Sequence, residues 1–146
     1  KATGGDRDVA RDIMGGICDL GVGNSYYVGL MRSGRGGEEQ KKWGAAIKVL
    51  LPTFEGGGTH VNVSGAGVAK NAPNRENAVK FLEYLVSPEA QKIYAEANFE
   101  YPVVDGVPLA PEVARWGEFV ADTLELEALG AQSREASMIF DRVGWP

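Results

Sequence analysis

The chain has 146 residues, 44% hydrophobic and 24% charged, with a net charge of −5; this suits one globular domain with a core of its own. Such a balance excludes a nucleic-acid binder, which needs basic patches to neutralise phosphates. It also excludes membrane insertion, because no apolar run nears the roughly 20 residues that cross a bilayer. Cys18 is the single cysteine and has no partner for an internal disulfide.

The opening Lys1-Ala2-Thr3-Gly4-Gly5 lacks an initiator methionine and a signal-peptide pattern, and reads as the start of a mature or cut fragment. Asp6 is expected to cap a helix whose Val9, Ile13 and Met14 share a face, ended by Gly15-Gly16. Ile17 to Val22 reads as a buried strand, with Cys18 an inert buried thiol. Gly21-Val22-Gly23-Asn24-Ser25-Tyr26-Tyr27 then turns from strand to helix, with Asn24 as the N-cap. Ser33-Gly34-Arg35-Gly36-Gly37 is a loop, Glu38 to Ala46 a charged helix, and Ile47 to Leu51 a second buried strand stopped by Pro52.

Glu55-Gly56-Gly57-Gly58 marks the clearest break. Beyond it Thr59, Val61 and Val63 alternate with polar residues, the period of a half-buried strand. Val79, Leu82, Leu85 and Val86 form the stripe of a helix capped by Asn74. Ser87-Pro88-Glu89 starts another, which ends near Asn98. Tyr101 to Val104 is extended, Asp105-Gly106 turns, and Pro111 opens a short helix with Val113 and Trp116. Thr123 to Ala128 is ambiguous, and a last helix spans about Gln132 to Val143. Helices alternating with strands predict a layered α/β domain.

Chemistry concentrates at the tyrosine turn. A strand-to-helix bend is where open α/β sheets bind ligands, and a helix start offers N–H groups and a positive dipole to an anion. Two phenols beside it suit a hard, highly charged cation held with a small anion, for which ferric iron is the natural candidate. The bland reading is that tyrosines often pack half-buried with a wet tip. Neighbours on a helix diverge by about 100°, so both reach one centre only at an irregular helix start. Elsewhere the motifs are weak. Gly65-Ala66-Gly67 lacks the third glycine of a dinucleotide loop, the lone His60 has no nucleophile in view, and no carboxylate pair suggests acid–base work. No enzyme is indicated.

Several stretches carry a family resemblance: Gly5-Asp6-Arg7-Asp8, Asn24-Ser25-Tyr26-Tyr27, and Gly58-Thr59-His60-Val61-Asn62-Val63-Ser64-Gly65-Ala66-Gly67-Val68. Pro73 to Ala78, Leu85 to Gln91, Asn98 to Val103 and Trp145 continue it in order. The chain resembles the C-terminal half of periplasmic ferric-iron-binding proteins, the substrate-binding components of iron ABC transporters. The resemblance implies a periplasmic-binding-protein type II-like lobe, three-layered α/β/α, with a segment crossing to the other lobe. Residues 1–56 would be a second-lobe α/β segment with the tyrosine pair. Residues 57–107 would be a hinge strand and return segment to the first lobe, and 108–146 a C-terminal helical segment packing on the second lobe.

Carried over residue by residue, Tyr26 and Tyr27 are the metal ligands for Fe3+. Asn24 helps hold a synergistic anion such as phosphate or carbonate, and Asp6 stands where some members place another anion-contacting residue. The implied role is iron capture in the periplasm, or elsewhere outside the cytoplasm if lipid-anchored, and delivery to an ABC transporter permease. Exposed lobe surface would pair with the N-terminal half or with a second copy. The rivals are the same fold binding another ligand or an anion without metal, an enzyme cradling a phosphorylated substrate, and an inactive half-site fragment.

Overall fold

Three short helices interlock near the start of the chain: α1 (Asp6–Met14), α2 (Ser25–Arg32) and α3 (Glu38–Ala46). This computed structural model describes residues 4–55 and 57–145, with Leu126 described by its backbone alone. Among them follow α4 (Arg75–Leu85), α5 (Pro88–Asn98), α6 (Pro111–Ala114) and α7 (Leu126–Val143). The opening Lys1-Ala2-Thr3, and Gly56 of the expected break, lie outside the described residues.

Asp6 is the first helical residue of α1, not its cap. Gly5 takes the cap position, and Asp8 Oδ2 accepts its N–H at 2.9 Å. A glycine has no side chain to cap with, so the acid two residues into the helix reaches back instead. Asp8 also pairs with Arg11 at 2.7 Å. The first-turn acids Asp6 and Asp8 and last-turn Arg11 complement the helix dipole.

The described residues divide into two compact units. The first draws on Lys1–Val61 and Glu118–Pro146. Its core is small: Ala10 from α1, and Val28 and Met31 from α2. Arg32 ties α2 to the end of α3, donating from Nε to Gly44 O at 2.8 Å and from Nη2 to Ile47 O at 2.6 Å.

The second unit is Asn62–Gly117, with Ala90, Ala95, Ala110 and Val113 buried. Ser87 caps α5 by accepting the Ala90 N–H at 3.2 Å, the arrangement its Ser-Pro-Glu start predicts. Gln91 is the buried polar residue here, 9% exposed. It donates to Leu85 O at 2.8 Å and accepts from Val103 N at 2.9 Å, so one amide fastens α4, α5 and the Tyr101–Val104 segment, which bends at Val103 and Val104 instead of staying extended.

The expected strands do not form a ladder. Among the described residues the single β pairing is an isolated parallel bridge between Thr59 and Ala121. Thr59 donates to Val120 O at 2.7 Å and accepts from Asp122 N at 2.8 Å. Gly58 permits this approach, since a Cβ there would meet Ala121 C and Asp122 Cα at 2.5 Å. Ile17 to Val22 has neither helix nor ladder, and Ile17, Leu20 and Val22 are 77%, 76% and 96% exposed. Leu50 and Val63 are exposed too, and Cys18 is half-exposed rather than buried. The reason is physical: a strand exists through a neighbour's N–H and C=O groups, and no described segment supplies them. The three-layer arrangement is accordingly not formed among these residues.

The candidate metal and anion site

α2 starts where the sequence places it. Asn24 has the extended backbone of an N-cap (φ −76°, ψ 128°), yet its side chain makes no cap bond to the helix. The first turn is tight, with Tyr27 N–H donating to Asn24 O at 3.2 Å, an i→i−3 bond of 3₁₀ type. The same first-turn bond opens α1 and α7 (Asp8 N–H to Gly5 O, Ala128 N–H to Glu125 O), so it does not set α2 apart. The Tyr26 and Tyr27 rings lie with centroids 4.4 Å apart and planes 31° from parallel.

Both tyrosines are half-buried, while the buried face of α2 is made by Val28, Gly29 and Met31. The core is therefore packed by other residues, and the phenol pair is left at the helix start. Arg7, from the first turn of α1, places its guanidinium carbon 5.4 Å from the Tyr27 ring centroid, within cation–π range.

Asp6 and Asn24 are brought together. Asp6 Oδ1 accepts from the Asn24 backbone N–H at 2.5 Å and from Asn24 Nδ2 at 3.1 Å. The glycines of the bend make room: a Cβ on Gly23 would stand 3.0 Å from Asp6 Oδ1, and one on Gly21 would collide with Val9 Cγ1. Of the four residues singled out in the sequence, Asp6 and Asn24 are joined by hydrogen bonds and Tyr26 and Tyr27 by the approach of their rings, and Arg7, next to Asp6 in α1, reaches Tyr27. Sequence reasoning missed the Arg7 contact and the direct Asp6–Asn24 bonding. The only available signal was that Asp6 and Arg7 adjoin on one helical turn.

Other candidates fall away. Among the described residues no group of three or more His, Cys, Asp or Glu side chains could hold a metal ion. His60 is exposed. A groove of about 470 Å³ lies along α7 among Arg134, Glu135, Met138, Ile139 and Arg142, but one helix face lines it and no second element brings polar groups to it. No described helix is long and apolar enough to cross a membrane.

Residues 16–121 match a family described as bacterial extracellular solute-binding protein. Iron uptake protein A1 of Synechocystis is 46% identical over 145 residues, covering 99% of this chain and 40% of that protein. Among solved structures, a Bordetella ferric binding protein superposes with a TM-score of 0.86 at 58% identity, over 99% of this chain and 46% of that one. A Trichodesmium protein solved in complex with iron and citrate gives 0.88 at 44% identity, over 99% and 45%. These structural neighbours are type II periplasmic binding proteins, and the chain spans about 40% of the length of the curated relatives it matches. With the family match extending over well more than half of its residues, the chain belongs to the bacterial extracellular solute-binding proteins.

Proposed function

We propose that this chain is the tyrosine-bearing portion of a ferric-iron-binding protein that captures Fe3+ outside the cytoplasm, in the periplasm, and hands it to an ABC transporter permease. The reading is of binding and release without catalysis. The observation that carries it is the close, tilted and half-buried Tyr26–Tyr27 pair at the first turn of α2. Its support is that the chain is 58% identical to a ferric binding protein across 99% of its length.

Tyr26 and Tyr27 are assigned as phenolate ligands. Oxygen donors suit a hard trivalent ion, and binding must displace the phenol protons, so metal and protons compete for the same oxygens. Two phenolates leave coordination positions open. These go to a synergistic anion such as phosphate or carbonate, to water, or to donors outside this chain. Asn24 and Asp6 are assigned to the anionic side of the site.

In the longer protein we assign residues 1–56 and 108–146 to a second lobe and 57–107 to a hinge and return segment. The extended 17–22, 47–51 and 59–63 segments would find their ladder partners there, completing the α/β layers. The apolar side chains exposed on α4, α5 and α7, among them Phe81, Ile93 and Phe140, would pack against the additional length that the relatives carry.

Iron titration of the full-length protein tests this reading. The loaded protein is expected to show a visible phenolate-to-iron charge-transfer band that bleaches on acidification and is lost in the Tyr26→Phe/Tyr27→Phe double variant. A double variant that keeps both band and affinity overturns the assignment.

A further inference from the structure

We infer that Arg7 is a positioning residue of the tyrosine site. Its guanidinium, held against the Tyr27 ring, sets a permanent positive charge beside the assigned ligand pair and shifts the bound ion toward its reduced, more weakly held form. The inference rests on the ferric-iron reading and adds to it a residue that governs release.

A cation in the first turn of a helix works against the dipole, which favours acids there. Arg7 nonetheless stands between Asp6 and Asp8 in the first turn of α1, so the stability of its own helix does not account for it. Nor does an ion pair. Asp8 and Asp12 both bind Arg11, at 2.7 and 3.0 Å, and Asp6 accepts from Asn24. Among the described residues no carboxylate pairs with Arg7. Its contact is the Tyr27 ring, 5.4 Å from guanidinium carbon to centroid, and the Tyr26 ring lies 4.4 Å beyond that of Tyr27. Two arginines one turn apart on α1 thus differ: Arg11 is neutralised by its neighbours, and the charge of Arg7 is left for the phenol pair.

A guanidinium keeps its charge at every working pH, so the effect needs no titration. Over the ring it does two things. Cation–π attraction holds the Tyr27 ring from one side, which limits how its oxygen can be presented. The same charge repels any cation bound at that oxygen, and it repels Fe3+ more than Fe2+ because Coulomb energy scales with the charge. Reduction adds one electron from an external one-electron donor, makes and breaks no bond to the protein, and relieves part of this repulsion. The ferrous ion left behind carries one charge fewer and is attracted less strongly by the phenolate oxygens. Arg7 therefore costs some hold on the ferric ion and makes the passage to the releasable state easier.

The test compares full-length wild type with Arg7→Lys, which keeps the charge, and Arg7→Gln, which removes it; Arg7 is exposed, so neither change disturbs the core. Each protein is loaded with iron and its reduction potential is read by spectroelectrochemical titration of the charge-transfer band. Arg7→Gln is expected to favour the ferric form by about tenfold over wild type, a potential about 59 mV lower. Arg7→Lys is expected to stay within about twofold of wild type. An Arg7→Gln potential equal to that of wild type overturns the proposal, as does an Arg7→Lys shifted as far as Arg7→Gln, since a purely structural role would not sort the variants by charge. The contact itself is read without iron, by nuclear magnetic resonance. The Arg7 side-chain protons are expected to be moved upfield by the Tyr27 ring current and to return to ordinary values in Tyr27→Leu; protons that are unshifted in wild type overturn the proposal. The iron reading stands or falls separately, on the band in the Tyr26→Phe/Tyr27→Phe variant. A protein that shows the band while its potential ignores the charge at residue 7 refutes the role of Arg7 alone.

Discussion

Asp6 Oδ1 stands 3.1 Å from Asn24 Nδ2 and also accepts the Asn24 backbone N–H, linking residues eighteen apart in sequence. Between them runs the Ile17–Val22 segment, which has no ladder to hold it. The direction in which the chain enters α2, and hence where the two phenols stand, is therefore set by contacts with α1 rather than by a sheet. The clasp supplies the polar half of that contact. The apolar half is the close seat of Gly21 on Val9.

That seat is testable. Gly21→Ala puts a Cβ into Val9 Cγ1 and within 3.4 Å of Ile13 Cδ1, an overpacking worth about 1–3 kcal/mol. Val9→Ala removes the obstructing methyl groups. The double variant is therefore expected to recover most of what Gly21→Ala loses, giving a coupling of about 1 kcal/mol or more in a double-mutant cycle. Strictly additive losses in chemical denaturation would show that the two residues do not press on each other.

In the second unit the corresponding fastener is Gln91. Gln91→Leu fills similar volume but withdraws a donor from Leu85 O and an acceptor from Val103 N–H. A buried polar group left without its partner costs about 1–3 kcal/mol, so the variant is expected to unfold earlier by about that much. Amide hydrogen exchange gives the sharper reading, because Val103 N–H should lose protection while N–H groups in mid-α5 keep theirs. Unchanged protection at Val103 would mean that the bond contributes nothing in solution.

What the sequence made legible was local. Ser87-Pro88-Glu89 announced α5 because cap, proline and acid act within one turn, and Glu38 to Ala46 was readable as a charged helix with Trp43 and Ile47 on its apolar side. The Asn24 boundary and the tyrosine pair were visible as a motif. The contact between Asp6 and Asn24 was not, because those bonds join distant residues and no local pattern encodes them. Asp6 itself was misplaced by one position, since acids favour both the cap and the turn after it.

The strand readings failed in an instructive way. The apolar run from Ile17 to Val22 says that these side chains want cover, but a strand is a property of two segments, and periodicity reports only one. At the other end of the chain, Gly130 lowers helix propensity and obscured the first turns of α7, which begins at Leu126 rather than near Gln132. Phe99 closes α5 with φ of 60°, a left-handed conformation that glycine or asparagine normally takes. Nothing in the sequence marks it.

Thr59 offers a prediction of opposite sign. Its residue is 6% exposed, both backbone groups are engaged with the Val120–Asp122 segment, and Oγ1 has no hydrogen-bond partner among the described residues. Thr59→Val keeps the branched shape and removes the unpaired hydroxyl. It is expected to stabilise the protein by about 1 kcal/mol. A denaturation midpoint that falls in the variant would reveal a partner for the hydroxyl.

Tyr101 links the second unit to pH. Its ring packs edge-on against Trp116 at 6.3 Å between centroids, and burial raises the phenol above its ordinary range. The folded state thus favours the neutral phenol, whereas the unfolded chain releases the proton near the ordinary value of about 10. Between those two values the unfolded chain binds fewer protons than the folded one, so stability falls as pH rises. The contribution is complete below about pH 10 and is lost as pH climbs through the raised folded-state value. Tyr101→Phe has no proton to lose, and subtracting its unfolding curve from that of wild type cancels the contributions the two proteins share. The difference is expected to be flat at neutral pH and to turn against wild type in alkali. Curves that stay parallel through that range would mean that the ring is no less hydrated when folded than when unfolded.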